Sequence, residues 1–460
     1  MTATLIRFQQ DQSGNVRFHL ERPLKWDKAL EQHDFKSDAT KSPFADLAAK
    51  PLQQGAVEQV GAELFKALRS HPAVLQQLDA TLNDGQLAGV VTIGLQVESD
   101  RADSFPWEAL FGGNEFLALD RRRPVVRVVG PKVIDLNKLY IFQPPLRMAI
   151  VLGASGSQSG SQISSRDEWD SIARSLASVK PPLLLPMDVL VFAAETDLEV
   201  DIKKFGPPVR TEIIKNQTQL TRLLREFRPN ILHFFCHGAS TDRPHLRISS
   251  AADWDSAQDG SIILEAETLR ADVDPKQETW LVALNCCESA GNGAAQSLEV
   301  RNLSATLIRK GFPAVLGMRD RVDASHARLL TEQFYQDAFE YFGNLTEDNQ
   351  FHDIEWGSLL VSGRKRISDF CAPAPKPNSA ADNKEWTIPA LYIRTDSFQV
   401  KRMDPKPTLT DEQRAGIRAE IQQLRGQMDT IRSLAVSEES KKGMLAELEA
   451  KLETLIKQLN

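Results

Sequence analysis

Two short stretches place reactive side chains at the ends of apolar runs. ILHFFCHGAS (231–240) holds His233, Cys236 and His237, and LVALNCCESA (281–290) holds Cys286 and Cys287. A thiol beside an imidazole is a nucleophile beside a base. The imidazole takes the thiol proton, the thiolate attacks a carbonyl, and the imidazolium returns a proton to the leaving amine. Gly238 permits a tight turn and leaves a backbone N–H bare. With the amide of Cys287 it makes an oxyanion hole, in which each donor is worth about 3 kcal/mol. A metal centre built from His233, Cys236, His237, Cys286 and Cys287 is the rival chemistry. Adjacent Cys-Cys and Cys-His pairs depart from the spacing of structural zinc sites, so no metal and no cofactor is expected.

The runs that carry these residues read as strands. They are LRMAIVLG (146–153), DVLVFAAE (188–195), NILHFFC (230–236), TWLVALNC (279–286), FPAVLGM (312–318) and IPALYIR (388–394). Helix-like segments fall between most of them, among them SRDEWDSIARSLASV, NQTQLTRLLREF, NLSATLIRKG and SHARLLTEQFYQDAFEYF. Nearly continuous apolar strands are buried on both faces, so the expectation is a doubly wound α/β domain over 146–400, its mostly parallel sheet flanked by helices. Ligands sit beyond the carboxyl ends of parallel strands. His237 and Cys287, 50 residues apart in sequence, are therefore expected on one rim. Successive strand residues face opposite ways, which turns Cys286 to the core. His233 and Cys236 read as core residues too, His233 with one hydrogen bond and Cys236 as a small apolar filler.

Residues 1–145 read as an α+β region packed on or continuous with that domain: a hairpin over TLIRFQQ and VRFHL, a helix over GAVEQVGAELFKALRS and a strand over GVVTIGLQV. Residues 401–409 read as a linker. Beyond it, Ile417, Ile421, Leu424, Met428 and Ile431, then Leu445, Leu448, Leu452, Leu455 and Leu459, make two heptad stripes over 410–460. Thr410 and Ser437 are the expected caps. A helical hairpin packed on itself or on the core and a coiled-coil adaptor that recruits a partner or makes a dimer both fit.

A net charge of −7 over 460 residues gives no general attraction to nucleic acid. The cluster Arg121-Arg122-Arg123 precedes Pro124 and an apolar run, and reads as a solvated strand entry. No run approaches the ~20 apolar residues that span a bilayer, and the N-terminal residues lack the pattern of a signal peptide. Four cysteines, Cys236, Cys286, Cys287 and Cys371, suit thiols in a reducing compartment, so the expected location is the cytoplasm.

ILHFFCHGAS followed by LVALNCCESA resembles the CHAT family of caspase-like cysteine peptidases, whose pattern is a strand ending in His-Gly and a strand ending in Ala-Cys-Glu-Thr. FPWEALFGGNEFLALDRRRPVVRV, LSATLIRKGFPAVLGMRDRVDASHARLLTEQFY and EWTIPALYIR resemble further segments of that family, so that the likeness covers about 55–395. The resemblance implies Cys287 as nucleophile and His237 as base. Cys286 stands where the family often has Ala, and Ser289, after Glu288, where it has Thr. It implies a regulated endopeptidase that cleaves a specific protein partner, and in bacteria a place in defence against viruses or other conflict. The alternative is a catalytically silent scaffold that binds partners through the C-terminal hairpin.

For the specificity pocket the residues point two ways. Asp320, with Asp323, Asp255 and Asp259 behind it, favours a basic residue before the scissile bond, whereas Arg319 favours an acidic one. VLGASGSQSGSQ (151–162) reads as a mobile loop on the rim; the resemblance implies that it gates the cleft, and a plain surface loop is the alternative. STDRPHLRISSAADWDSAQDGS (240–261) reads as a polar insertion that lines the cleft or is cleaved on activation.

Overall fold

The computed structural model describes residues 2–48, 52–83, 89–130, 139–154, 164–178, 185–240, 244–258, 260–273, 278–286, 303–320, 322–345, 350–370, 380–395, 398–403, 411–433 and 437–459. Two compact units account for them, Met1–Met403 and Asp404–Asn460.

The first unit is built on one large sheet. Its strands are β1 (Thr2–Gln10), β2 (Val16–Arg22), β3 (His33–Asp34), β4 (Val91–Val97), β5 (Val125–Val129), β7 (Leu146–Leu152), β8 (Met187–Ala193), β9 (Val209–Ile213), β10 (Ile231–Phe235), β14 (Leu281–Leu284), β15 (Ala314–Met318) and β17 (Pro389–Arg394). Two smaller sheets hold β6 (Leu139–Phe142), β16 (His352–Asp353) and β18 (Gln399–Arg402), and β11 (His237–Ser240), β12 (Pro244–Ile248) and β13 (Ile262–Glu265). The order across the large sheet is β3-β2-β1-β4-β5-β17-β15-β14-β10-β7-β8-β9.

This is an α/β fold with a mostly parallel sheet flanked by helices. Most of the sheet forms two parallel blocks: β15, β14, β10, β7, β8 and β9 run one way, while β17, β5, β4 and β1 run the other, with β2 and β3 added antiparallel at the β1 edge. The blocks meet where β17 pairs antiparallel with β15. The expectation of a mostly parallel sheet holds; apolar periodicity carries no direction, so it does not specify which strand runs against its neighbour. The sheet passes through the 145/146 boundary, so residues 1–145 share its hydrogen bonding.

Period-two alternation sorts the strand side chains to two cores. In β10, Ile231 and Phe235 join the cluster that includes Trp169, Phe334 and Tyr335, from the helices Ser165–Ser178 and Ala324–Gly343. Leu232 and Phe234, with Cys236 beyond the strand, join the cluster of Leu220 and Leu224 from the helix Gln217–Phe227 and of Leu307 from the helix 303–309. Helices therefore cover both faces, as continuous apolar strands require.

The hairpin β1–β2 turns on Asp11, whose Oδ1 accepts the amides of Ser13 and Asn15, both at 2.9 Å. Gly14 sits there at φ +83°, where a side chain would be strained. Arg121 and Arg122 are exposed at the entry to β5, as a solvated strand entry requires, whereas Arg123 is buried. Arg121 binds Asp337 and Ser362, Arg122 lies 3.4 Å from Asp120, and buried Arg123 binds Glu115 and Asp120.

The second unit is two helices, Asp411–Ser433 and Glu438–Leu459. Ile421, Leu424 and Leu455 form its buried core, with Ile417, Leu448 and Leu452 packed against them. Lys451 bridges to Glu420 at 3.0 Å. The Ser437 carbonyl accepts the Lys441 amide, the first bond of the second helix, as an N-terminal cap residue does. Thr410 lies outside the described residues. Among the described residues no helix is long and apolar enough to cross a membrane.

Candidate active site

β10 and β14 are neighbours in parallel register, with Phe234 level with Leu284. Two residues further on, Cys236 and Cys286 remain side by side. Both are buried on the same face, their Sγ atoms 3.8 Å apart, as thiols rather than a disulfide. Cys286 thus packs in the core, as alternation requires. His237 follows Cys236 directly and is 8% exposed. Cys287, Glu288 and Ser289 lie outside the described residues, as do Asp259, Cys371 and the loop residues 155–163.

His237 and Gly238 open β11, which runs antiparallel to β12 with His237 level with Arg247 and Gly238 level with Leu246. Gly238 is therefore a strand residue rather than the apex of a tight turn. The segment read as a polar insertion is largely ordered structure. Leu246 and Ile248 alternate inward on β12, with Ile262 and Leu264 opposite on β13. Asp253 ties the intervening turn, its Oδ2 accepting from the amides and hydroxyls of Ser250 and Ser261 at 2.7–3.1 Å. Those donors outweigh the effect of burial and hold its carboxyl below the usual range. This small sheet is fixed to the large one at Gly153, which donates its amide to Phe235 O and accepts the Ser249 amide, both at 2.9 Å. A Cβ at Gly153 would stand 2.5 Å from Ile248 Cγ2.

The specificity candidates follow β15. Leu284 of β14 pairs with Gly317 of β15, and Arg319 directly follows β15. The Arg319 amide binds Ile388 O at 2.8 Å, and its Nε lies 3.9 Å from Glu108 Oε2. Asp320 is answered by Lys384 at 3.4 Å. Asp323 caps the helix Ala324–Gly343, accepting from the Ser325 hydroxyl and amide, which hold its carboxyl below the usual range against some burial. Asp255 is exposed at the end of the short helix Ala251–Asp255.

Two buried polar groups escaped the sequence reading. The first surrounds Arg127, the single charge in the apolar strand VVRVV. Its Nε and Nη2 grip Glu108 at 2.9 and 2.8 Å, its Nη1 binds Asp103 Oδ1 at 2.6 Å, and Nη2 also binds Phe105 O at 2.8 Å. Burial pushes the Glu108 carboxyl up, but Arg127, with Arg364 and Arg319, outweighs it and holds it below the usual range. Burial lowers Arg364 to about 10. The second group joins Glu168, His233, Tyr335, Thr331 and Asn285. Charged or hydroxyl residues inside apolar runs were the available signal for both. Among the described residues no cluster of His, Cys, Asp and Glu could hold a metal ion.

The family model described as the CHAT domain matches residues 58–340, more than half of the chain, so the chain belongs to the CHAT domain family. It is similar to the Saccharomyces cerevisiae separase–securin complex, with 12% identity, TM-score 0.33, and coverage of 68% of this chain but only 16% of that one. It is similar as well to the Arg-specific cysteine proteinase gingipain R, with 8% identity, TM-score 0.36, and coverage of 77% and 70%. For the complex of Porphyromonas gingivalis RgpB pro- and mature domains the values are 7%, 0.35, 76% and 70%. No curated protein matches the chain.

Proposed function

We propose that the chain is a cysteine endopeptidase in which Cys287 is the nucleophile and His237 its base. The observation that carries the reading is the register of β10 and β14, which sets Cys236 beside Cys286 at 3.8 Å, each one residue before a member of the dyad. Membership of the CHAT family supports it.

In this reading His237 takes the Cys287 proton and the thiolate adds to the carbonyl carbon of a peptide bond. The amides of Gly238 and Cys287 receive the developing oxyanion. Collapse breaks the C–N bond, with the imidazolium protonating the amine. Water, deprotonated by His237, then hydrolyses the thioester and frees Cys287. No step calls for a metal or cofactor. Because Asp320 and Asp323 are already engaged by Lys384 and a helix N-terminus, neither leaves a free negative charge for a basic substrate residue. Arg319, answered in part by Glu108, remains the candidate for an acidic one.

The substrate is a protein, and unit 404–460, with a core of its own, is the element that recruits a partner or regulator. Thiols at Cys236 and Cys286 suit a reducing cytoplasm. Cleavage of one partner on a signal, as in bacterial defence, is the role that fits. The test is a thiol-reactive peptide probe applied to the wild type and to Cys287→Ala. Labelling confined to the wild type is expected, and equal labelling of both would sink the dyad.

A further inference from the structure

Between the large sheet and the helices Ser165–Ser178 and Ala324–Gly343, near the ends of β10 and β14, lies a polar cluster that packing alone does not require. Glu168, His233, Tyr335, Thr331 and Asn285 are each at most 5% exposed. Groups this deep are costly unless bonded, and apolar residues of similar volume would fill the space more cheaply. Their bonds run between elements. Tyr335 OH meets His233 Nδ1 at 2.8 Å, linking the helix Ala324–Gly343 to β10. Thr331 Oγ1 donates to Glu168 Oε1 at 2.8 Å, linking that helix to Ser165–Ser178. Asn285 Nδ2 donates to Thr331 Oγ1 at 3.4 Å, bringing in the end of β14.

His233 Nε2 lies 3.1 Å from Glu168 Oε1 but off the line of a directed hydrogen bond, so it has no hydrogen-bond partner among the described residues. Glu168 Oε2 has no hydrogen-bond partner among the described residues. The nearby charges are engaged outside the cluster: Glu332 with Arg174 at 2.8 Å and Arg366 at 3.0 Å, and Asp167 with Arg328 at 3.5 Å. Two strands and two helices thus converge on one incompletely satisfied cluster. In sequence Asn285 stands two residues before Cys287, and His233 four before His237.

We infer that these five residues form a positioning network that fixes the end of β10 relative to the end of β14, and with them His237 relative to Cys287. The inference rests on the peptidase reading of that dyad. In this inference the five act through the strands that carry the dyad.

Tyr335→Phe and Thr331→Val each delete one hydroxyl at nearly constant volume. Thr331→Ser keeps the hydroxyl, and Ile202→Val alters the core elsewhere. The full chain is treated with iodoacetamide across a pH series, and the alkylated Cys287 peptide is quantified by mass spectrometry beside the thermal midpoint. In the wild type, alkylation is expected to rise well below the ~8.5 of an ordinary thiol. In Tyr335→Phe and Thr331→Val the rise moves toward ~8.5, and the rate at neutral pH falls on the order of 10-fold, as misplaced reacting groups require. Thr331→Ser and Ile202→Val keep the wild-type profile. Unchanged profiles in the hydroxyl deletions, with midpoints lowered as in Ile202→Val, would overturn the network and leave the dyad standing. An ordinary thiol profile in the wild type itself would overturn both.

Discussion

Glu108→Ala is expected to destabilise the first unit more than any single loss at the surface. Arg127 is fully buried and spends two of its five donors on the Glu108 carboxylate, at 2.9 and 2.8 Å. Removing the carboxylate leaves Arg127, Arg319 and Arg364 close together, with Asp103 as the remaining anion in the group. Breaking one side of a buried pair costs about 3–5 kcal/mol. Replacing both sides is much cheaper, so Glu108→Gln with Arg127→Met should cost less than the two single changes added together.

Urea unfolding read by tryptophan fluorescence measures this cleanly, because all seven tryptophans fall between Trp26 and Trp386, inside the first unit. The sign of the pH effect follows as well. The folded Glu108 pKa lies below its ordinary 4.5, so the unfolded state binds more protons in acid. The pair's contribution is full above about pH 4.5 and is lost as pH falls through the lower folded value. The variant's stability should therefore vary less with pH below 4.5 than the wild type's. A cost under about 1 kcal/mol, or strict additivity in the double variant, would refute the claim that this pair holds the segment before β5 to the sheet.

Three further outcomes follow from the packing. Gly153→Ala forces a Cβ to within 2.5 Å of Ile248 Cγ2, and should cost about 1–3 kcal/mol in the same urea assay; no loss would mean the two sheets are not fixed at that point. Ending the chain at Met403 should leave the tryptophan unfolding transition unchanged, since unit 404–460 has its own core; aggregation would contradict this. Leu424→Ala empties the centre of that core at a cost of about 2 kcal/mol, raising tryptic cleavage within 411–459 roughly 30-fold while the first unit stays intact; unchanged cleavage would place that unit's stability elsewhere.

Much of the fold was legible because its strands are buried on both faces. Runs such as LRMAIVLG and TWLVALNC have few other readings, and the helices between them carry strong apolar stripes. The reversed direction of β17 was not legible, because an antiparallel strand buried on both faces has the same composition as a parallel one. β12 was missed for a different reason: its two inward residues, Leu246 and Ile248, are outnumbered by polar neighbours. At the candidate site, the pairing of Cys236 with Cys286 follows from β10 lying beside β14; two apolar runs of similar length place both strand ends on one rim but do not set their order. The partners of His233 did not follow. Glu168 and Tyr335 each look like ordinary positions of amphipathic helices, and only the packing of two helices against β10 brings them to one imidazole.

In the proposed function Cys287 and His237 cleave peptide bonds. The most direct test is to incubate the full chain with a peptide library drawn from whole-cell protein and to sequence the new N-termini by mass spectrometry. A restricted set of new termini is expected for the wild type, none for Cys287→Ala and far fewer for His237→Ala. The same termini from Cys287→Ala, or none from the wild type, would contradict that function.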